Sequence, residues 1–364
     1  MTTLLEGQEE DTTATRHSGP LTQRSGRWAQ LCALVGAAAW AALALLARAG
    51  IARIGAIELM FLFAPLVVVP LGMELARLLG SGGWIDRAAR RLQPPGAALA
   101  IAALWLPPGR TAGALAFGWM LVCGLAGFSG ISGFFDPAKS KVSSSFVVPT
   151  SPKTREKWAT PFHLSTGSST SRFAVALAQL DLIVGGAWFV ASRLGMHPME
   201  IQEPIGLLTA VHFHFAGFAT AMIAAATLRF AQNGRWERSL RVLAPIVVIM
   251  PYVVAVGFVT SPTVKMGAGV LFSISVAGFA VVLRFCAQRT DKTAARVLLQ
   301  VAAVTVFAGM VLASVYAIAD LRGSDLLPIP QMARTHGILN AVGFCMCGLL
   351  GWIVEWETDD ARKR

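Results

Sequence analysis

Apolar runs long enough to cross a bilayer recur along this chain from Trp28 to near its C-terminus. An α-helix crosses the hydrocarbon core in about 20 residues, because each residue advances the helix axis by about 1.5 Å. Inside lipid the backbone must also satisfy its own hydrogen bonds, which restricts spanning structures to helices and closed barrels. The runs are continuous rather than alternating, so they predict an all-α fold, a polytopic bundle of transmembrane helices.

Ten helices are expected from these runs, and the third is the weakest. It is short and ends at Pro107-Pro108-Gly109, so it fits either a full span or a tilted, shallow or re-entrant segment. Only 14% of the residues are charged, whereas a soluble domain has about 25%. The predicted helices cover residues 28–47, 56–79, 96–108, 112–134, 173–193, 204–230, 241–260, 266–286, 295–318 and 334–355.

The lysines and arginines predict how the bundle is oriented, because short cytoplasmic loops accumulate positive charge. With ten spans and a cytoplasmic N-terminus, 24 of the 31 basic residues fall on the cytoplasmic side and 7 on the outer side. If the third helix were omitted, every loop on one side of it would move to the opposite face of the membrane, and the basic residues would no longer be concentrated on the cytoplasmic face. We therefore expect ten helices, with both termini on the cytoplasmic side of a bacterial cell membrane.

The net charge of +11 is also explained by the lysines and arginines of the cytoplasmic loops. In a soluble domain such a charge would suggest nucleic-acid binding, but here it is spread over many cytoplasmic loops. The expected partner is the lipid bilayer with its anionic headgroups, and not nucleic acid. The five cysteines lie in or at the edges of predicted helices, which favours packing over disulfides.

The domain organisation follows from the same pattern. Residues 1–27 are polar and carry no apolar core of a signal peptide, which predicts a disordered cytoplasmic tail. The transmembrane domain is expected over residues 28–355, and a short cytoplasmic tail over 356–364. Residues 136–172 are rich in lysine and serine, which favours either a polar cytoplasmic loop or a local disruption of the coding sequence by a frameshift or an insertion.

Two apolar stretches carry the informative histidines, Leu208-Thr-Ala-Val-His212-Phe-His214 and Arg334-Thr-His336-Gly-Ile-Leu-Asn340. Ionisable residues at membrane depth are costly, so they usually face a cavity or the bundle interior and suggest a function. In the predicted topology both stretches lie near the outer face, where helix two also begins. The candidates for a substrate or proton pathway are His212, His214, His336, Glu58, Asn340 and, in the inner half of helix five, Asp181.

Three interpretations of these residues stay open. They can line a proton or substrate pathway, since imidazole relays protons near neutral pH. They can bind a transition metal or haem, with His212, His214, His336 and Glu58 as candidate ligands. They can also stabilise packing through hydrogen bonds between helices. Neighbours two apart on a helix point to opposite sides, so His212 and His214 are expected to differ, one facing a cavity and one bonding a neighbouring helix.

Four segments resemble the YndJ-like bacterial membrane proteins. They are Ala64-Pro-Leu-Val-Val-Val-Pro-Leu-Gly72, Val184-Gly-Gly-Ala-Trp-Phe-Val-Ala-Ser-Arg-Leu-Gly195, Leu208-Thr-Ala-Val-His-Phe-His-Phe-Ala-Gly-Phe218 and Thr335-His-Gly-Ile-Leu-Asn-Ala-Val-Gly-Phe344. The resemblance extends from about Trp28 to Trp352, and residues 136–172 depart from it. The family is sometimes labelled a transporter and has no established catalytic residues, so the resemblance implies a fold and motif positions.

The sequence therefore predicts a transporter-like or channel-like membrane protein with an outward-facing cavity lined by His212, His214, His336 and Glu58. An unidentified small molecule or ion is the expected substrate. One alternative is a membrane-embedded metal- or haem-binding enzyme that uses the same histidines. Another is a structural or sensory membrane protein. No P-loop is present, which argues against ATP hydrolysis by this chain.

Overall fold

A computed structural model describes residues 21–135, 169–324 and 326–357. In this part of the chain the backbone forms ten long helices and no strand. The helices are α1 (Leu21–Arg48), α2 (Ala56–Leu78), α3 (Trp84–Trp105), α4 (Arg110–Phe135), α5 (Ser169–Leu194), α6 (Ile205–Phe230), α7 (Glu237–Thr260), α8 (Pro262–Ala287), α9 (Thr293–Leu321) and α10 (Ile329–Glu357).

The predicted all-α, multi-pass membrane fold is confirmed. Within the described ranges, nine of the ten helices are long and apolar enough to cross a membrane. The exception is α3, the helix that the sequence marked as weakest. The predicted range of this helix, 96–108, is wrong. The helix starts at Trp84, continues through Pro94 and Pro95, and ends at Trp105.

The early start of α3 has an electrostatic explanation. The segment 84–95 is rich in arginine and therefore resembles a loop. In the fold, Arg90 pairs with Asp86 one turn away and lies 3.7 Å from the buried carboxylate of Glu74 on α2. Glu74 also accepts a hydrogen bond from Arg77 at 2.5 Å, three residues further along α2. These partners let the charged end of α3 stay helical against α2.

Other helix ends also differ from the predictions. Helix α1 begins at Leu21, inside the predicted tail, and α10 begins at Ile329 rather than at residue 334. Helix α5 begins at Ser169, so the predicted loop 136–172 overlaps it by four residues. The remainder of that loop and the predicted tail segments 1–20 and 358–364 lie outside the described residues.

Helices α2 and α6 form the centre of the bundle. In each of them, 78% of the most apolar stretch is buried, compared with 22% in α1. The pairs α4–α5 and α8–α9 pack as antiparallel neighbours around this centre, and α10 packs against α2, α6 and α9. The polar candidates of α6 and α10 therefore lie on helices at the centre of the bundle or directly packed against it.

All three of the helices α2, α6 and α10 contain π-helical segments, which the sequence did not predict. The segments cover Ala64–Val68 in α2, Phe213–Ala219 in α6, and Ala333–Gly337 and Leu339–Met346 in α10. Those of α2 and α6 contact each other and the longer segment of α10. Such π-bulges occur frequently at functional sites because they redirect side chains.

The π segment of α2 shows how the sequence produces this geometry. The Val69 N–H bonds to the Ala64 carbonyl, five residues back, so the Pro65 carbonyl loses the donor it would have in an α-helix. The next residue, Pro70, has no N–H to donate. The buried side chain of Gln93 on α3 replaces the missing donor, with its Nε2 at 2.6 Å from the Pro65 carbonyl oxygen.

Candidate functional site

A cavity of about 280 Å³ lies among α2, α6, α7, α8, α9 and α10. Each helix contributes the end that the charge distribution assigns to the outer half of the membrane. The walls are mostly aliphatic and aromatic. The polar and charged side chains on the cavity wall are Thr209, His212, Thr220, Lys265, Ser273, Tyr316, Asp320, His336 and Asn340.

His212 faces this cavity from α6. It lies about 10 Å along the helix from its first residue, at about 1.5 Å per residue, yet its side chain is exposed because it borders the cavity. Its Nδ1 lies 2.7 Å from the carbonyl oxygen of Leu208. A carbonyl only accepts, so Nδ1 carries the proton and Nε2 is left as an acceptor.

His336 faces the same cavity from the first π segment of α10. Its Nδ1 donates to the carbonyl of Gly309 on α9 at 2.9 Å, so its Nε2 is an acceptor as well. One turn further, Asn340 donates to the His336 carbonyl at 2.7 Å and also lines the cavity. The His212 and His336 rings are close enough to interact electrostatically.

An ion pair lies at the outer end of the cavity. Lys265 in the first turn of α8 contacts Asp320 near the end of α9, with Nζ and Oδ2 2.7 Å apart. The Lys265 ammonium also lies 5.1 Å from the centre of the Phe258 ring on α7. Tyr316 lies one turn before Asp320 on α9 and interacts with it electrostatically. The outer end of the cavity therefore carries charge, while the rest of its wall carries hydrogen-bonding groups such as His212, His336 and Asn340.

His214 does not line the cavity. It is fully buried, its Nδ1 donates to the Ala210 carbonyl at 2.7 Å, and its Nε2 accepts from the indole N–H of Trp119 on α4 at 3.0 Å. The ring of Phe61 also packs against it edge-on, with centroids 5.3 Å apart. Both ring nitrogens are used, so His214 holds α6 against α4. The two histidines are separated as their spacing predicts.

The close approach of α5 makes room for His214. A Cβ built at Gly185 would lie 2.6 Å from the His214 Nδ1 atom and 2.8 Å from Cε1. On the next residue, Gly186, a Cβ would lie 3.1 Å from the Cys123 Cβ atom of α4. The Val184-Gly-Gly motif therefore allows α5 to pack against α4 and α6 at once.

Glu58 also lies away from the cavity wall. It is half-buried in the first turn of α2 and interacts electrostatically with Arg193 near the end of α5. Arg193 interacts with Glu203 as well, and Glu203 accepts a hydrogen bond from the Leu207 N–H at 3.2 Å. Glu58 thus belongs to a charged cluster that joins the outer ends of α2, α5 and α6.

Asp181 occupies a separate position at mid-membrane depth. Its side chain is fully buried in the middle of α5, where it packs against Gly217 in the π segment of α6. Tyr252 of α7 is near enough to interact with it. No sequence pattern pointed to Tyr252, because a single tyrosine in an apolar helix is an ordinary residue.

The predicted metal set is not assembled by this fold. Of its four candidates, His212 and His336 share the cavity, whereas His214 is bonded to Trp119 and Glu58 lies beside Arg193. Across residues 21–135, 169–324 and 326–357, no group of three or more His, Cys, Asp or Glu side chains is arranged to hold a metal ion. The expectation of one cavity lined by all four residues is therefore corrected to His212 and His336 together with Asn340.

Comparison with known proteins agrees with the membrane fold. The family model described as YndJ-like protein matches residues 59–344, which includes the motifs of α6 and α10. The uncharacterized membrane protein YndJ of Bacillus subtilis (strain 168) is 27% identical over 198 residues. That alignment covers 54% of this chain and 35% of the length of the Bacillus protein. No solved structure matches the chain.

The family match extends over most of the chain and includes the helices that build the cavity. The nine membrane-spanning candidates within the described residues and the Bacillus relative point to the same class of protein. The chain therefore belongs to the YndJ-like family and is a multi-pass integral membrane protein.

Proposed function

We propose that this protein is a transporter-like membrane protein whose cavity binds a small, mainly apolar molecule that donates hydrogen bonds. The observation that carries the proposal is the pair of imidazoles on the cavity wall. His212 and His336 each commit Nδ1 to a backbone carbonyl, so both Nε2 atoms remain acceptors for a ligand.

The wall around these acceptors defines the ligand class. Most of the surface is apolar, which suits a hydrocarbon or aromatic body, and binding pockets of this kind use a few polar groups for specificity. Asn340 adds an amide beside the histidines. Lys265 and Asp320 neutralise each other at the outer end, so the cavity has no excess of charge to attract a strongly ionic ligand. Small alcohols with an apolar body fit this description.

The opening of the cavity can be tested by cysteine labelling. Variants His212→Cys and Asn340→Cys are made in a background in which the five native cysteines are replaced, and intact cells are treated with a membrane-impermeant maleimide. Labelling of both from the outside is expected. The matched control is His214→Cys, two residues from His212 but fully buried, which should stay unlabelled. Labelling of His212→Cys only in inverted vesicles would contradict the outward-facing cavity.

The ligand class can be tested with purified protein. A panel of small apolar alcohols is screened for compounds that raise the melting temperature and that enter proteoliposomes containing the protein faster than they enter protein-free liposomes. His212→Ala and His336→Ala should abolish both effects while the protein stays folded, because each removes one acceptor. If every compound acts equally on the wild type and on both variants, the proposed role of the two imidazoles is wrong.

A further inference from the structure

Asp181 is a fully buried acidic residue that does not line the cavity. It lies halfway along α5, and its carboxyl group is pressed against the backbone of α6. A Cβ at Gly217 would lie 2.8 Å from the carboxyl Cγ and 2.9 Å from Oδ2. Because residue 217 is glycine, the carboxyl group reaches the π segment of α6 directly.

The carboxyl group has little to compensate for its burial. Neither Oδ1 nor Oδ2 has a hydrogen-bond partner among the described residues, and the same is true of the Tyr252 hydroxyl. Tyr252 on α7 is close enough to interact with the carboxyl group, but the two do not meet in hydrogen-bond geometry. Among the described residues, the other helices in extensive contact with α5 are α4 and α6, and neither places a charged group on Asp181. The nearby imidazole of His214 is occupied by Trp119.

Glu74 provides a contrast within the same protein. Its side chain is also fully buried, but Arg77 lies 2.5 Å and Arg90 3.7 Å from its two oxygens. A carboxylate buried with cationic partners can stay ionised, whereas an unpaired ionised carboxylate is too costly to bury and becomes neutral instead. The surroundings of Asp181 therefore suit the protonated acid.

Two aromatic side chains link the surroundings of Asp181 to the cavity. Phe213 lines the cavity, and its ring meets the ring of Tyr252 edge-on with centroids 5.2 Å apart. Ala216 and Thr220, on either side of Gly217 in the chain, line the cavity as well. Phe213 and Tyr252 therefore form a chain of contacts from the cavity wall to the carboxyl group.

We propose that Asp181 is a proton-binding site that holds a proton in this conformation and exchanges it with the cavity past the rings of Phe213 and Tyr252. The inference extends the proposed function, because a proton site behind the cavity wall offers a way to couple ligand movement to a proton gradient. Its test does not need a ligand, so it can fail or succeed independently of the labelling and binding experiments.

The protonated state is measured by infrared spectroscopy of the purified protein in lipid nanodiscs at neutral pH. The wild type should show the carbonyl stretch of a protonated carboxylic acid, and Asp181→Asn should lose that band. The matched control is Glu74→Gln, which removes an equally buried but paired carboxylate and should keep the band. Asp320→Asn, at the cavity entrance, is a second control should Glu74→Gln not fold. Absence of the band from the wild type, or its persistence in Asp181→Asn, overturns the proposal.

The access route is measured by transfer into deuterated buffer, which shifts the acid band as the proton exchanges. Phe213→Ala should shorten the exchange time relative to the wild type, and Phe213→Leu serves the same purpose if the alanine variant does not fold. Phe218→Ala is the control, since this buried residue lies in the same π segment but packs against Gly72 of α2 instead of lining the cavity. Equal exchange times in the wild type and the Phe213 variants overturn the route past these rings.

Discussion

The contact between Gly185 and His214 gives a sharp test of the packing at the centre of the bundle. In Gly185→Ala, the new methyl group would lie 2.6 Å from Nδ1 and 2.8 Å from Cε1 of the imidazole. The ring cannot move aside freely, because it is held by the Ala210 carbonyl at 2.7 Å and the Trp119 indole at 3.0 Å. The substitution therefore displaces a ring that has no spare bonding partner.

The expected cost follows from these contacts. Forcing a methyl group into a well-packed core costs about 1–3 kcal/mol, and each displaced hydrogen bond costs about 1 kcal/mol, more if the Trp119 N–H is left buried without an acceptor. We expect Gly185→Ala to lower the free energy of unfolding by about 3 kcal/mol. The control is Gly124→Ala on α4, where a Cβ would meet no atom within 4 Å; it should be close to neutral.

The assay is equilibrium unfolding in mixed detergent micelles, followed by far-ultraviolet circular dichroism. Addition of His214→Ala removes the ring that the new methyl group would strike, so Gly185→Ala should then cost little. The double-mutant cycle is expected to give a coupling energy of about 2 kcal/mol, within the range for residues in contact. If Gly185→Ala costs the same with and without the imidazole, the proposed contact does not explain the glycine.

Two further stability predictions concern the other buried polar contacts. Glu74→Gln should destabilise the protein by about 3 kcal/mol, because it breaks a buried pair and leaves Arg77 uncompensated, whereas Glu237→Gln, which breaks the exposed pair of α7, should cost less than about 1 kcal/mol. Gln93→Leu should lower the free energy of unfolding by about 1–3 kcal/mol, because it leaves the Pro65 carbonyl buried without a hydrogen-bond donor. The same unfolding assay measures both Glu74→Gln and Gln93→Leu. No measurable loss of stability in either variant would contradict the corresponding prediction.

Much of the fold could be predicted because it depends on local composition. The length of each apolar run specifies a helix, and ten runs gave ten helices in the described part of the chain. The misplaced start of α3 shows the limit of this reasoning. Charged residues in a helix such as Arg90 are tolerated when another helix provides a partner, and the Glu74 carboxylate that does so lies on α2.

The candidate site was predictable only in part. The two-residue spacing of His212 and His214 indicated different orientations, because successive residues of a helix differ by a fixed rotation. It could not indicate which histidine faces the cavity. That choice depends on the Trp119 indole, 95 residues away in sequence from His214.

The sequence by itself determined a multi-pass helical membrane protein and its polar residues at membrane depth, because helix formation in lipid follows from the apolar runs. Only the tertiary structure decided that His212 and His336 share a cavity, that His214 bonds to Trp119, and that Asp181 lies against Gly217 with no charged partner among the described residues. The physical reason is that the role of a polar side chain inside the membrane depends on the groups that it contacts. Those groups come from other helices, and they are brought together only when the bundle is packed.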